Sequence, residues 1–177
     1  MYKNILWGVA LISLVIIGCA KEQVYNSVPP MQTVSTSAFE VKLEPLRAEG
    51  YSYYNRFRLE FTNQSSNNLI VVWSKSYYLQ NKKRYGLFGW EGLTFEQLRG
   101  LKEEPDIPTG PGQKETLVIF PIKLIGWKEE GVRMKATTPE AGFTNGVIPA
   151  GENGLSLAVL DNGKVLRKNI LVKITQD

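Results

Sequence analysis

Carboxylates and one thiol are the side chains in this sequence from which catalysis or ligation could be built, because its 177 residues hold a single Cys and no His. Without imidazole, a Ser/His/Asp or Cys/His nucleophile has no general base, and the His-based zinc and iron sites have no ligands. Glu103, Glu104 and Asp106 lie in a proline-flanked stretch, while Glu91 and Glu152 stand beside glycines. Two such groups facing each other across a groove would form the acid/base pair of a glycosidase. Such a pair could in principle be built, but nothing in the sequence sets two of them facing and loop carboxylates are ordinarily solvated, so the chain is expected not to be an enzyme. Asp161-Asn162-Gly163 lacks the further spaced acids of a calcium loop and reads as a turn. Gly110-Pro111-Gly112-Gln113-Lys114 lacks the spacing of a phosphate loop. Neither a metal nor a cofactor is expected.

The thiol has a different context. Lys3 precedes Ile5 to Ile17, a 13-residue apolar run, which is short of the about 20 residues a membrane-spanning helix needs. Gly18, Cys19, Ala20 and Lys21 do not extend it. Ile16-Ile17-Gly18-Cys19 resembles the lipobox of bacterial lipoprotein signal peptides: an aliphatic position, a tolerant one, a small residue, then the Cys that is acylated. The resemblance implies cleavage between Gly18 and Cys19, thioether-linked diacylglycerol on Cys19, and a third acyl chain in many Gram-negative bacteria. One chain is a marginal anchor at about 0.8 kcal/mol per buried methylene, whereas two or three hold firmly. Ala20 stands where inner-membrane retention places Asp. By the same likeness the protein would reach the outer membrane, on its periplasmic side or at the cell surface, if the host is Gram-negative. An ordinary secretory peptide with a coincidental Cys, or an uncleaved chain with a core Cys, are the competing readings.

Removal of residues 1–18 leaves 159 residues with 20 basic and 17 acidic side chains, a net charge of +3. The charges are interspersed, and Lys82-Lys83-Arg84 is the one basic triplet. It lies between Tyr77-Tyr78-Leu79 and Tyr85-Gly86-Leu87 and reads as a solvated hairpin turn, so nucleic acid is not an expected partner.

Strands must position these groups. Residues 19–38 are polar after Cys19 and broken by Pro29-Pro30, which reads as a flexible tether reaching about 24 Å. The domain is expected over residues 39–177. Phe39, Val41 and Leu43 alternate with Glu40, Lys42 and Glu44, and Pro45 marks an edge or a strand end. From Tyr53 to Thr62, Phe57, Leu59 and Phe61 oppose Arg56, Arg58 and Glu60 in the same way. Asn63 to Asn68 is a polar turn. Leu69-Ile70-Val71-Val72-Trp73 is a continuous apolar run, read as a strand covered on both sides at the centre of the core. Tyr77 to Gln80 and Tyr85 to Phe88 flank Asn81 to Arg84 as a hairpin. Thr94 and Gln97 have capping-box spacing, which predicts a short helix near 95–101. Pro105 to Gln113 reads as a long surface connection, Glu115 to Phe120 as a strand, and Ile122 to Trp127 as another short one. Lys128 to Gly146 has no clear pattern. Asn162-Gly163 supplies the positive backbone dihedrals of a hairpin between Leu155–Leu160 and Lys164–Thr175. About eight short strands with one helix predict an all-β fold, an antiparallel immunoglobulin-like β-sandwich.

Residues 57–73, read as Phe-x-Leu-x-Phe-Thr-Asn-x-Ser, a polar turn and Leu-Ile-Val-Val-Trp, resemble the strand-turn-strand of immunoglobulin-like sandwiches in bacterial envelope proteins. Val72-Trp73-Ser74-Lys75, Tyr78-Leu79, Phe88-x-x-Glu91-Gly92, Pro105-Asp106-Ile107 and Pro149-Ala150-Gly151-Glu152-Asn153-Gly154 look like a family of uncharacterised bacterial lipoproteins. That likeness covers roughly residues 57 to 160 and implies no known activity.

Aromatic rings are the remaining candidates. Trp7 leaves with the signal peptide, and Trp73 is expected in the core. Trp90, within Gly86-Leu87-Phe88-Gly89-Trp90-Glu91-Gly92, either packs on its own loop or is presented to a partner, and Trp127 beside Gly126 is open in the same way. With Phe88 and Tyr85 they form the candidate binding surface. The expected role is a lipid-anchored, non-enzymatic protein-interaction or structural module with an envelope protein as partner. The alternative is a glycan or peptidoglycan binder. A glycan site needs Trp90 or Trp127 exposed in a groove beside Asn, Asp or Glu, whereas a protein partner needs a flatter apolar patch or an unpaired strand edge.

Overall fold

The computed structural model describes residues 23–100, 106–128 and 142–177. In chain order its elements are β1 (Tyr25–Val28), β2 (Gln32–Ser35), β3 (Phe39–Arg47), β4 (Tyr54–Asn63), β5 (Leu69–Val71), β6 (Tyr77–Gln80), β7 (Lys83–Gly86) and β8 (Phe88–Trp90). There follow α1 (Phe95–Gly100), β9 (Ile107–Thr109), β10 (Lys114–Pro121), β11 (Gly126–Lys128), β12 (Gly142–Thr144), β13 (Gly151–Asp161) and β14 (Lys164–Gln176). Two antiparallel sheets carry the core. One has the order β2-β3-β4-β10-β8, the other β1-β14-β13-β5-β9 with β6 on β13 and β7 on β6, and β11 with β12 makes a separate ribbon. Set against each other, β3-β4-β10-β8 and β14-β13-β5 reproduce the A-B-E-D and G-F-C strand orders of an immunoglobulin-like sandwich.

The alternation in β3 and β4 works as a pleat should. Phe39, Val41, Leu43, Phe57, Leu59 and Phe61 are buried in the main core with Leu69, Ile119, Leu155, Leu157, Val159, Ile170 and Val172. Each such side chain contributes about 1.5–3 kcal/mol when fully removed from water. The opposite face of that sheet is a charge lattice: Arg58 meets Glu44 at 2.6 Å, Lys114 meets Glu60 at 2.8 Å, Lys42 meets Glu40 at 3.2 Å and Arg56 meets Glu91 at 2.7 Å. The hydrogen bond from Lys114 holds the Glu60 carboxyl below its usual pKa.

The centre of the second sheet is β13, not the 69–73 run. Leu155, Leu157 and Val159 enter the core, while Gly154, Ser156 and Ala158 on the other face are also buried. The apolar run breaks after Val71, where Trp73–Lys75 forms one 3-10 turn. Val71 pairs with Val159 and Tyr77 with Ser156, so residues 72–76 bulge opposite Leu157 and Ala158 alone. Ser76 closes the gap: its Oγ accepts from the Ala158 amide at 3.0 Å and donates to the Val72 carbonyl at 2.8 Å. The turn also drops Trp73 into the core, where it is 1% exposed.

Three further expectations are corrected. The tether expected to run to Ala38 is sheet from Tyr25 onward: β1 pairs with β14, and β2 pairs with β3. Polar residues suit both strands because each is a sheet edge, where backbone pairing rather than side-chain burial holds the chain. The Pro105–Gln113 connection contains β9, paired with β5 and carrying Pro108 on an edge strand, where a missing amide is tolerated. The four-residue turn expected at Asn81–Arg84 is the two-residue turn Asn81-Lys82, both at positive φ. The Asn81 amide donates to the Glu152 carbonyl at 2.7 Å, which pins that turn to β13.

Other local signals hold. The Gln97 amide donates to Thr94 Oγ1 at 3.2 Å and the Thr94 amide to Gln97 Oε1 at 2.8 Å, completing the capping box of α1. Leu98 then packs with Phe120 and Ile125 in a second small cluster. Asn162 and Gly163, at φ 47° and 80°, turn β13 into β14. Of the unassigned 128–146 segment, β11 and β12 pair through Trp127 and Phe143, and residues 129–141 lie outside the described residues.

Candidate functional site

The structure disperses the four aromatics expected at one surface. Phe88 is 1% exposed, so it is a core residue and not a surface one. The reason is local: β8 alternates Phe88, Gly89 and Trp90, and Trp90 packs against the main core on the same side. Gly89 faces the small cluster, where a Cβ would stand 2.8 Å from the Phe120 ring and 2.9 Å from Leu98. Trp127 has its backbone in β11, and its side chain lies outside the description. Tyr85 alone of the four is shown exposed, at 38%. Cys19, Gly18, Glu103 and Glu104 lie outside the described residues. Asp106 is exposed, and Glu91 and Glu152 each pair with a cation, Arg56 and Lys82 respectively.

Around Tyr85 the hairpin β6–β7 builds a strip that the sequence did not announce. Tyr77 and Tyr78 are adjacent in a strand, so their rings leave on opposite sides. Tyr78 goes inward, donates its hydroxyl to Asn153 Oδ1, and stacks edge-on against Phe88 at 5.7 Å and Tyr85 at 5.9 Å. Burial, reinforced by Tyr85, pushes the Tyr78 phenol well above its usual pKa. Tyr77 goes outward and carries two guanidinium groups, Arg84 at 4.9 Å and Arg167 at 5.0 Å from its centroid. Arg167 is held there by bonds to the Lys75 carbonyl at 2.9 Å and Ser156 Oγ at 3.1 Å. Lys123 lies 5.3 Å from the Tyr85 ring.

The two outer faces therefore differ in kind. On the first sheet cations and carboxylates neutralise each other in pairs. On the second, among the described residues, Arg84 and Arg167 form no ion pair. The guanidiniums of Arg84 and Arg167 lie within about 10 Å of each other, close to one Debye length, so their potentials add in physiological salt. Such a strip can attract and orient anionic groups, with tyrosine rings beside it for contact. Among the described residues no three His, Cys, Asp or Glu side chains are grouped to hold a metal ion.

Fold and strip together define an immunoglobulin-like β-sandwich with one self-neutralised face and one cationic, tyrosine-bearing face. No family model matches the chain, and neither a curated protein nor a solved structure matches it at a significant level. Tyr85 and Tyr77 are visible in the sequence as aromatic rings, whereas no local signal sets Arg84, Arg167 or Lys123 beside them. The doubled tyrosine was the available signal, since in any strand one of two neighbouring rings must face out.

Proposed function

We propose that the protein is a cell-envelope lipoprotein, anchored through acylated Cys19, that acts as a non-enzymatic interaction module and docks an acidic protein partner on the Tyr77–Arg84–Arg167 strip. The observation that carries the docking part is the contrast between faces: two guanidiniums that form no ion pair among the described residues, Arg84 and Arg167, lie against the Tyr77 ring, while the opposite sheet pairs its charges. The anchor itself rests on the Ile16-Ile17-Gly18-Cys19 lipobox resemblance. A glycan site draws less support, because the Trp90 ring packs on the core and the Tyr85 ring is already approached by Lys123.

The test is cross-linking in envelopes of the native host, comparing wild type with the Arg84→Glu/Arg167→Glu double variant and with Lys164→Glu at the far hairpin. Cys19→Ser serves as the unanchored control. One protein partner should be recovered with wild type and with Lys164→Glu, and be reduced at least several-fold by the double reversal. Glycan strands recovered in place of protein, or equal recovery by all three anchored forms, would refute the docking surface.

A further inference from the structure

We infer that the end of the sandwich formed by Gln23–Tyr25 and the 48–53 loop lies against the headgroup layer of the bilayer, with Tyr51 at the lipid interface. The inference rests on the acylation of Cys19 proposed above. From Cys19 to Gln23 is four residues, which span at most about 14 Å even when fully extended. Whatever meets Gln23 is therefore held close to the lipid anchor.

The chain beyond that point is fastened. Ser52 Oγ donates to the Gln23 carbonyl at 2.6 Å, and the Asp177 amide donates to the Val24 carbonyl at 3.0 Å. Arg47 Nη2 donates to the Tyr25 carbonyl at 2.8 Å, while its Nη1 donates to the Ser52 carbonyl and its guanidinium rests 5.0 Å from the Tyr54 centroid. The incoming strand and the 48–53 loop thus move as one body with the sandwich.

This end also collects exposed apolar surface. Tyr51 is 62% exposed and stacks on Tyr53 at 5.1 Å, and Val24, next in the chain to Gln23, is 41% exposed. Val147 is 39% exposed and adjoins Ile148, whose amide bonds to the Tyr54 carbonyl. Val28 and Met31, at 61% and 45%, are exposed where the chain passes from β1 to β2. At the opposite end, by the β13–β14 turn, Val165 is the single large apolar side chain exposed among the described residues. Charge favours no lipid type strongly, since Arg47, Lys82, Lys83 and Lys173 on this end stand against Glu49, Glu152 and Asp177, an excess of one cation among the residues named. Tyrosine rings and short aliphatic chains beside nearly balanced charge suit the boundary between headgroups and acyl chains.

The experiment uses the full lipidated chain in phosphatidylcholine vesicles containing a headgroup-nitroxide phosphatidylcholine. Cys19 is the only native Cys, so once acylated it leaves an introduced Cys as the sole labelling site. Glu49→Cys keeps Tyr51 in place, and Ser66→Cys lies at the other end, about 35 Å away for an 11-residue central strand. A fluorophore at position 49 should be quenched several-fold more than one at position 66, and a Tyr51→Cys label should follow position 49. Equal quenching at both ends, with the acyl mass present on Cys19, overturns the orientation and leaves the anchor standing. Absence of the acyl mass, with Cys19 itself taking up label, overturns the anchored reading on which the inference rests.

Discussion

Replacing Asn63 by Ala should destabilise the domain by about 4 kcal/mol, because one fully buried amide holds three pieces of chain together. Its Nδ2 donates to the Asn67 carbonyl at 2.7 Å and the Thr109 carbonyl at 2.8 Å. Its Oδ1 accepts from the Ser65 amide at 2.9 Å and from Ser65 Oγ at 2.8 Å. Every donor is used, and both acceptor positions are filled. A neutral hydrogen bond is worth about 1 kcal/mol net, so four sum to the figure above, and the buried Thr109 carbonyl loses a partner that water cannot replace. At 2–4 °C per kcal/mol for a domain of this size, the melting temperature should fall by roughly 8–16 °C. Thermal unfolding followed by circular dichroism measures it, with urea unfolding to check that the m-value is unchanged. Gln64→Ala, one residue away and exposed, is the control and should melt with wild type. A fall of less than about 3 °C for Asn63→Ala would refute the claim that this side chain ties β4, the 64–68 turn and β9 together.

Other perturbations separate packing from surface. Phe88→Ala should cost about 3–5 kcal/mol, whereas Tyr85→Ala should stay near 1 kcal/mol or below, and denaturation midpoints of the two decide whether β8 is placed correctly. Because the folded Tyr78 phenol titrates above its usual value, stability should be complete below about pH 10 and decline as pH rises past it. In Tyr78→Phe the urea midpoint should flatten over that alkaline range, and at neutral pH about 1–3 kcal/mol should be lost because Asn153 Oδ1 no longer receives a donor. Gly154→Ala should fail to give soluble folded protein, since its Cβ would stand 1.9 Å from the Ile170 carbonyl oxygen. A folded Gly154→Ala with wild-type melting would disprove the β13–β14 spacing.

What the sequence disclosed follows from which signals are local. The Phe39–Leu43 and Phe57–Phe61 alternations, the Asn162-Gly163 turn and the Thr94–Gln97 box each lie within a few residues, and all stand in the structure. Strands β1, β2 and β9 were not legible because three or four residues on a sheet edge show no period, and their pairing is supplied by partners far along the chain. The Leu69–Trp73 run does not reveal its break, since apolar character says nothing about where the ladder to β13 is interrupted. Phe88-Gly89-Trp90 has a period of two, but its flanking glycines give the segment the look of a loop. At the candidate site, Tyr85 was visible by type, but Arg167 reaches Tyr77 only through the register that sets Arg167 opposite Ala158, next to Ser156 on the same face.

The small residues on the outer side of β13 guard the chain against misfolding. A slip of one residue against β14 would turn Gly154, Ser156 and Ala158 toward the core and force Leu155, Leu157 and Val159 outward. Three large side chains would forfeit about 5–9 kcal/mol of burial. A nascent β13–β14 hairpin in the wrong alignment therefore gains no support from the rest of the chain and can reopen. The longest hairpin of the fold, turned by Asn162-Gly163, thus has one alignment in which its large side chains reach the core.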